Sequence, residues 1–324
     1  MTTAGGTHDR LFTFRQIPLL AGVLAQRGVD AAELLRECGV PLEGLTGEIT
    51  APLGRIQKLI AAAADRLENP LLGLDLAERV PTGAYGVAVF LVRAAPTVQR
   101  CLEVICEAAP LINPIGDFRM MPVSDGCELH YAVHGQRDTI GRHLNEYTIA
   151  FIAAQFGAAL GEPMPLTRAW FSHARQSGGD AVAQRLRTDV AFQRPDCGFA
   201  VSHDTLARVP RTADAQLFEF LLAQARAQLA YVGTHDVVAQ VVRVIEVRLA
   251  HGDVGTAAIA GAMATTSRSL QRRLTEAGTT FRDVLAYVRS RRRAQLERGG
   301  FSETEVARQL GFADARSMRR SLDT

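Results

Sequence analysis

Apolar residues recur every three or four positions through IPLLAGVLAQRGVDAAELLRECGV (17–40) and GRIQKLIAAAADRLENPLLGLDLAERV (54–80), interrupted at Gly-Val and Asn-Pro. Each stretch therefore predicts a pair of helices. Thr97 to Ala109 carries the same period. The period then shortens: DFRMMPV and CELHYAVH flank the turn SDG as the arms of a hairpin would, and TRAWFSH and CGFAVSH read as further short strands. Between them His143 to Leu160 is helical in spacing but has almost no polar face, which predicts burial in a core or against a second subunit.

The last third of the chain is helical throughout. In SRSLQRRLTEAGTTF (267–281) Leu270 and Leu274 fall on one side of a helix, and Arg268, Gln271, Arg272 and Thr275 on the other. Thr266 or Ser267 suits its N-cap and Gly278 its left-handed C-cap. Just before it, Thr256 can cap a short helix carrying Ala257, Ile259, Ala260 and Met263, with the brief connection Ala264-Thr265-Thr266. A second pair follows at SETEVARQLGFADARSMRRSL: Ser302 and Glu305 form a capping box, Gly311 ends the helix, and the next helix bears Arg316, Arg319 and Arg320. One longer helix, Phe281 to Glu297, joins the pairs, with Phe281, Leu285, Val288 and Ala294 or Leu296 inward and Arg291, Arg292 and Arg293 outward. A further helix is expected at Asp236 to Leu249, packing Val237, Val241, Val244 and Ile245 against the first pair.

Charge is concentrated at this end. Residues 256–324 hold thirteen arginines and seven acidic residues, a balance of +6, against +2 for the whole chain; residues 1–255 therefore carry −4. A basic domain beside an acidic one is the footprint of a polyanion partner. Arginine matches the two major-groove acceptors of guanine, and glutamine the donor and acceptor of adenine.

The tail, through I-A-x-x-M, S-R-S-L-Q-R-R-L, E-A-G-T-T-F, V-R followed by A-x-L, and V-A-x-x-L-G-F, resembles the DNA-binding domain of the AraC/XylS family of bacterial transcription regulators. The resemblance implies two helix-turn-helix units joined by a helix. Arg268, Gln271, Arg272 and Thr275 then correspond to the base-reading and phosphate-touching set of the first unit, and Arg316, Arg319 and Arg320 to that of the second. Two departures stand out. Met318 and Leu322 replace the family's phenylalanines, and the chain stops at Thr324, before the usual closing Thr-Gly and Pro, so a weakly packed second unit is expected. More loosely, P-L-L-G-L, G-A-Y-G-V-A-V-F, A-W-F-S-H and P-R-T-A-D-A-Q-L resemble the N-terminal domain of one branch of the family, which implies an effector-sensing and dimerising domain of α+β class.

Composition allows about two globular domains: 47% of the 324 residues are hydrophobic and 22% charged. The N-terminal MTTAGGTHDR lacks the apolar segment of a signal peptide. The longest uncharged run, Tyr147 to Gly161, is 15 residues, short of the roughly 20 of a membrane span. A cytoplasmic protein without membrane contact is expected. Cys38, Cys101, Cys106, Cys127 and Cys197 show no C-x-x-C spacing and read as buried small hydrophobes. His130 and His134 share a strand face without a third ligand, and His173 reads as a core histidine. No G-x-S-x-G, G-x-G-x-x-G or P-loop occurs, so neither catalysis nor a cofactor is expected. PTGAYGVAVFLVRAAP reads either as the wall of an apolar cavity, with Tyr85, Phe90 and a charged handle at Arg93, or as a buried helix ending in an arginine.

The expectation is thus an α+β effector and dimerisation domain over 1–222, a linker over 223–234, and an all-α DNA-binding domain with two helix-turn-helix units over 235–324. Expected partners are double-stranded promoter DNA, RNA polymerase, a small-molecule effector and a second copy of the chain. The competing reading is an adaptor that pairs with a full-length relative and antagonises it; a DNA-tethered enzyme is the third.

Overall fold

The computed structural model describes residues 11–322 except 113–115, 134–139, 176, 236, 250–251, 278 and 299–300. The described residues divide into two compact units, one over 11–229 and one from 230 onward.

The first unit is α+β. Strand β1 (Leu11–Phe14) leads through α1 (Ile17–Ala25) and α2 (Ala31–Cys38) to β2 (Ile49–Pro52), its antiparallel partner. Asp30 caps α2 by accepting from the Ala32 and Glu33 amides. Helices α3 (Leu53–Arg66), α4 (Leu72–Arg79), α5 (Val87–Ala94) and α6 (Val98–Ile112) follow. The hairpin β3 (Gly116–Val123) and β4 (Gly126–Val133) pairs Val123 with Gly126, so Ser124 and Asp125 make the turn. Then come α7 (Arg142–Leu160), β5 (Arg168–Trp170), α8 (Gly179–Leu186), β6 (Val190–Ala191), β7 (Cys197–Ser202), α9 (His203–Ala207) and α10 (Ala215–His235). The main sheet has the order β3-β4-β7-β5-β6, antiparallel except for β5 with β6.

Helix α7 is the centre of this unit, packed by α3, α4, α5 and β7. Of the two burials expected for it, the one observed is within its own core, so its apolarity alone no longer argues for pairing. Helix α4 approaches so closely that a Cβ on Gly73 would lie 2.0 Å from the His143 carbonyl oxygen; only glycine fits. A buried ionic cluster sits on α7: Glu146, fully buried, accepts from Arg175 and, at 3.1 Å, from His173 Nε2. His173 is thus a core histidine. The strand expected over TRAWFSH is confined to Arg168–Trp170.

The second unit is all-helical: α11 (Val237–Arg248), α12 (Thr256–Ala262), α13 (Ser267–Glu276), α14 (Phe281–Arg298), α15 (Glu303–Gln309) and α16 (Ala315–Leu322). Val237, Val241 and Ile245 of α11, Ile259 and Ala260 of α12, Leu270 and Leu274 of α13, Val284 and Val288 of α14, and Met318 of α16 share one core. Val244 and Leu285 are only partly buried beside it, and Val284 takes the inward position instead. Thr266 caps α13, its Oγ1 accepting from the Ser269 amide at 3.1 Å. The residue that precedes α12 is Gly255, so Thr256 is its first helical residue rather than its cap. The capping box of Ser302 and Glu305 is formed. Gly278 lies outside the described residues, though the Thr279 amide reaches the Leu274 carbonyl at 2.9 Å, the long bond of a Schellman ending.

The two pairs α12–α13 and α15–α16 end their first helices alike. Thr265 N–H donates to Ala260 and Ala264 N–H to Gly261; Phe312 N–H donates to Ala307 and Gly311 N–H to Arg308. The left-handed residue is Ala264 (φ 51°) in one and Gly311 (φ 74°) in the other. Met318 is fully buried at the position of Leu270 in the first pair, so a flexible thioether fills the hole where weak packing was expected.

Candidate functional site

The arginines of the tail divide into those that hold the unit together and those that face out. Leu270 and Leu274 turn one side of α13 into the core, and Arg268, Gln271, Arg272 and Thr275 lie exposed on the other, at spacings of three and four. In α16 Met318 is the inward residue, and Arg316, Arg319 and Arg320 are exposed at the same spacing. Arg268, Gln271 and Arg272 thus recur 48 positions on as Arg316, Arg319 and Arg320. Arg272 Nη1 donates to Glu276 Oε1 at 2.8 Å, and Arg319 Nε lies 3.0 Å from Glu303 Oε1. Both pairs are exposed, where an ion pair contributes about 0–1 kcal/mol, so a phosphate can displace the acid at little cost. Thr275 Oγ1 donates back to the Gln271 carbonyl at 2.9 Å.

On the connecting helix the periodicity did not single out Arg289. Its guanidinium lies over the Phe312 ring, 4.1 Å from the centroid, and Nε donates to the Leu310 carbonyl at 3.3 Å. Burial pushes its pKa down. It ties α14 to the turn of the second pair.

The first unit contains a partly open cavity of about 100 Å³, bordered by β1, α5, α6, β3, β4 and α7. Phe14, Val92, Ile105, Phe118 and Phe156 are typical of its wall, and among the described residues no Asp, Glu, Lys, Arg or His lines it. The Tyr85 and Tyr147 hydroxyls are 2.7 Å apart, and Thr148 Oγ1 donates to the Leu144 carbonyl at 2.8 Å. Burial raises the pKa of Tyr85, Tyr131 and Tyr147, keeping all three neutral. Gln155 is 9% exposed, and its buried Oε1 has no partner among the described residues.

The run expected to wall a cavity does so, but of Tyr85, Phe90 and Arg93 only Tyr85 reaches it. Helix α5 turns Ala88, Val89 and Val92 inward, which leaves Phe90 44% exposed and Arg93 directed to Thr82 Oγ1 at 3.3 Å. The charged handle is therefore absent from the lining. The signal that was there to read is Gln155, one of the few polar residues in the run from Tyr147 to Gly161.

His130 is held on the sheet by Asp196 Oδ2 at 2.9 Å on Nδ1 and Glu128 Oε2 at 2.8 Å on Nε2, with Arg168 on Glu128 and Trp170 Nε1 on Asp196. His134 lies outside the described residues. Among the described residues no group of three or more His, Cys, Asp or Glu side chains is placed to hold a metal. No helix among them is long and apolar enough to cross a membrane.

An α+β unit with an internal cavity and a separate basic helical unit describe a two-part regulator that meets nucleic acid. Residues 28–209 match the arabinose-binding domain of AraC transcription regulators, N-terminal, and as this is more than half of the chain, the protein belongs to that family. It is similar to the HTH-type transcriptional regulator VirS of Mycobacterium tuberculosis, at 25% identity over 92% of this chain and 89% of that one. It is also similar to the ornithine utilization regulator of Pseudomonas aeruginosa, at 23% identity over 96% and 94% of the two chains. The crystal structure of the transcriptional regulator CdpR from Pseudomonas aeruginosa aligns with 94% of this chain and 92% of that one at a TM-score of 0.46 and 24% identity.

Proposed function

We propose that the protein is a sequence-specific transcription regulator whose two helix pairs are helix-turn-helix units, with α13 and α16 entering successive major-groove faces about one turn, roughly 34 Å, apart. Arg268, Gln271, Arg272, Thr275, Arg316, Arg319 and Arg320 contact bases and phosphates. The observation that carries this reading is the recurrence of one exposed triplet of positions on two helices that share a core. Residues 1–222 sense a small-molecule effector in the cavity and pair two copies of the chain, 223–234 connect, and 235–324 bind promoter DNA and act on RNA polymerase in the cytoplasm.

Binding to duplex promoter DNA measured by fluorescence anisotropy across a salt series tests it. With about five phosphate contacts, log affinity should fall against log salt with a slope of about −4 to −5. A flat response overturns the assignment. Sedimentation at micromolar concentration tests pairing, and a single species near the chain mass of 35.1 kDa overturns it.

A further inference from the structure

We infer that the cavity between α5, α6, α7 and the β3–β4 hairpin binds an uncharged single-ring or short-chain alcohol, seated on the buried amide of Gln155. This rests on reading the cavity as the effector site. Three observations fix the ligand class.

The first is charge. Among the described residues no carboxylate, amine, guanidinium or imidazole lines the cavity, and its tyrosines are neutral. A charged ligand would leave water with no counterion to meet it, a cost that an apolar wall does not offset.

The second is hydrogen bonding. Thr148 and the tyrosine pair have partners within the protein, so their demand on a ligand is small. Gln155 Oε1 has none among the described residues, although the side chain is nine-tenths buried and lines the cavity. A buried amide oxygen without a donor is destabilising until something supplies one. Because carboxamide oxygen and nitrogen are interchangeable by a flip, the group that satisfies either orientation is a hydroxyl, which both donates and accepts.

The third is size and shape. An apolar cavity of about 150 Å³ takes the six heavy atoms of benzene, so about 100 Å³ holds a chain of about four, and a single ring fits by widening the cavity or projecting through its open side. Phe14, Phe118, Tyr147, Phe151 and Phe156 supply edges and faces for an aromatic ring.

The test uses the full-length protein and three probes of one shape: phenol, toluene and benzoate at pH 7, by isothermal titration with thermal unfolding in parallel. Phenol should bind and raise the unfolding temperature. Toluene should bind about tenfold more weakly, the worth of one buried neutral hydrogen bond. Benzoate should give no shift. Gln155→Leu, which removes the unpaired amide, should remain folded, unfold at a higher temperature without ligand, and bind phenol and toluene within about twofold of each other. Benzoate binding as well as phenol, equal binding of phenol and toluene by the unsubstituted protein, or no binding of any probe overturns the inference. Promoter affinity is measured with and without phenol. Phenol that binds without changing promoter affinity leaves the ligand class standing and removes the effector role. A protein that binds the promoter and ignores phenol does the reverse, leaving the DNA-binding reading intact.

Discussion

The guanidinium carbon of Arg289 lies over the Phe312 ring, 4.1 Å from its centre, while its Nε donates to the Leu310 carbonyl. Lysine can supply a charge there but neither the planar stack nor the same bond geometry. Arg289→Lys should destabilise the second unit by about 1–2 kcal/mol, by the stacking and carbonyl contacts it loses. Urea unfolding followed by circular dichroism checks it, and a change under 0.3 kcal/mol would leave the stack as decoration.

The two congruent turns predict opposite effects. Ala264 occupies a left-handed conformation that glycine adopts freely, so Ala264→Gly should stabilise by about 0.5–1 kcal/mol. Gly311→Ala should destabilise by more than 1–2 kcal/mol, since the strain of the left-handed backbone adds to a Cβ placed 2.7 Å from the Leu249 carbonyl oxygen. Thermal unfolding of both variants decides, and the same sign for the two would refute the argument.

Arg272 and Glu276 form an exposed pair on the face proposed to meet DNA. Glu276→Gln removes both the competitor for the guanidinium and a carboxylate facing phosphates, and should tighten promoter binding several-fold at low salt, an effect that fades as salt screens it. Arg272→Ala should weaken specific binding by about 1–3 kcal/mol and relax preference at one or two base pairs. Anisotropy titrations on the operator and on single-base variants measure both.

Two histidines set opposite limits on stability. Burial would lower the pKa of His130, but the hydrogen bonds and charges of Asp196 and Glu128 outweigh it and the net shift is upward. Its contribution is complete below the ordinary value of 6.5 and is lost as pH rises through the raised folded value. His143 is pushed down to about 4, by burial first and then by Arg142, so its contribution is complete above 6.5 and falls away as pH drops toward 4. That acid loss is about 3 kcal/mol at most. Stability of the first unit should therefore peak near pH 6.5, with His130→Gln flattening the alkaline limb and His143→Asn the acid one. Urea midpoints from pH 4 to 9 test both, and limbs that survive the substitutions would assign the dependence elsewhere.

Gly73 predicts the largest single loss. A Cβ there meets the His143 backbone oxygen, which cannot move without displacing α7, so Gly73→Ala should destabilise the first unit by about 3 kcal/mol or more. Calorimetry showing an unchanged transition would mean that the helices can part.

Which features were legible in the sequence follows from how local they are. The helices α1 to α4 and α6, the β3–β4 hairpin and the caps at Thr266 and Ser302 are each written within a few neighbouring residues. Strands β1 and β2 went unread because their partners stand some forty residues apart, with Leu11 paired to Pro52, and each is only four residues long. Strand β6 has two residues and takes its conformation from β5. The exposed arginine faces of α13 and α16 follow from the repeat alone, whereas Arg289 looks like another solvated arginine until the fold brings Phe312 under it. Gln155 is visible in the sequence as a polar residue in an apolar run, but its unmet hydrogen bond exists only once α7 is enclosed.

The single core beneath both helix pairs sets how their specificities can diverge. Ile259, Leu270, Val288, Val306 and Met318 belong to one apolar cluster within 230–324, a stretch of fewer than a hundred residues and too small to hold two independent cores. Neither pair can act as a detachable module, as beads on a string do. A substitution on the inward side of one helix is also a substitution in the foundation of the other pair. On the proposed reading, new operator preferences are thereby channelled to the outward positions, where arginine, glutamine and threonine can be exchanged without either half losing its footing.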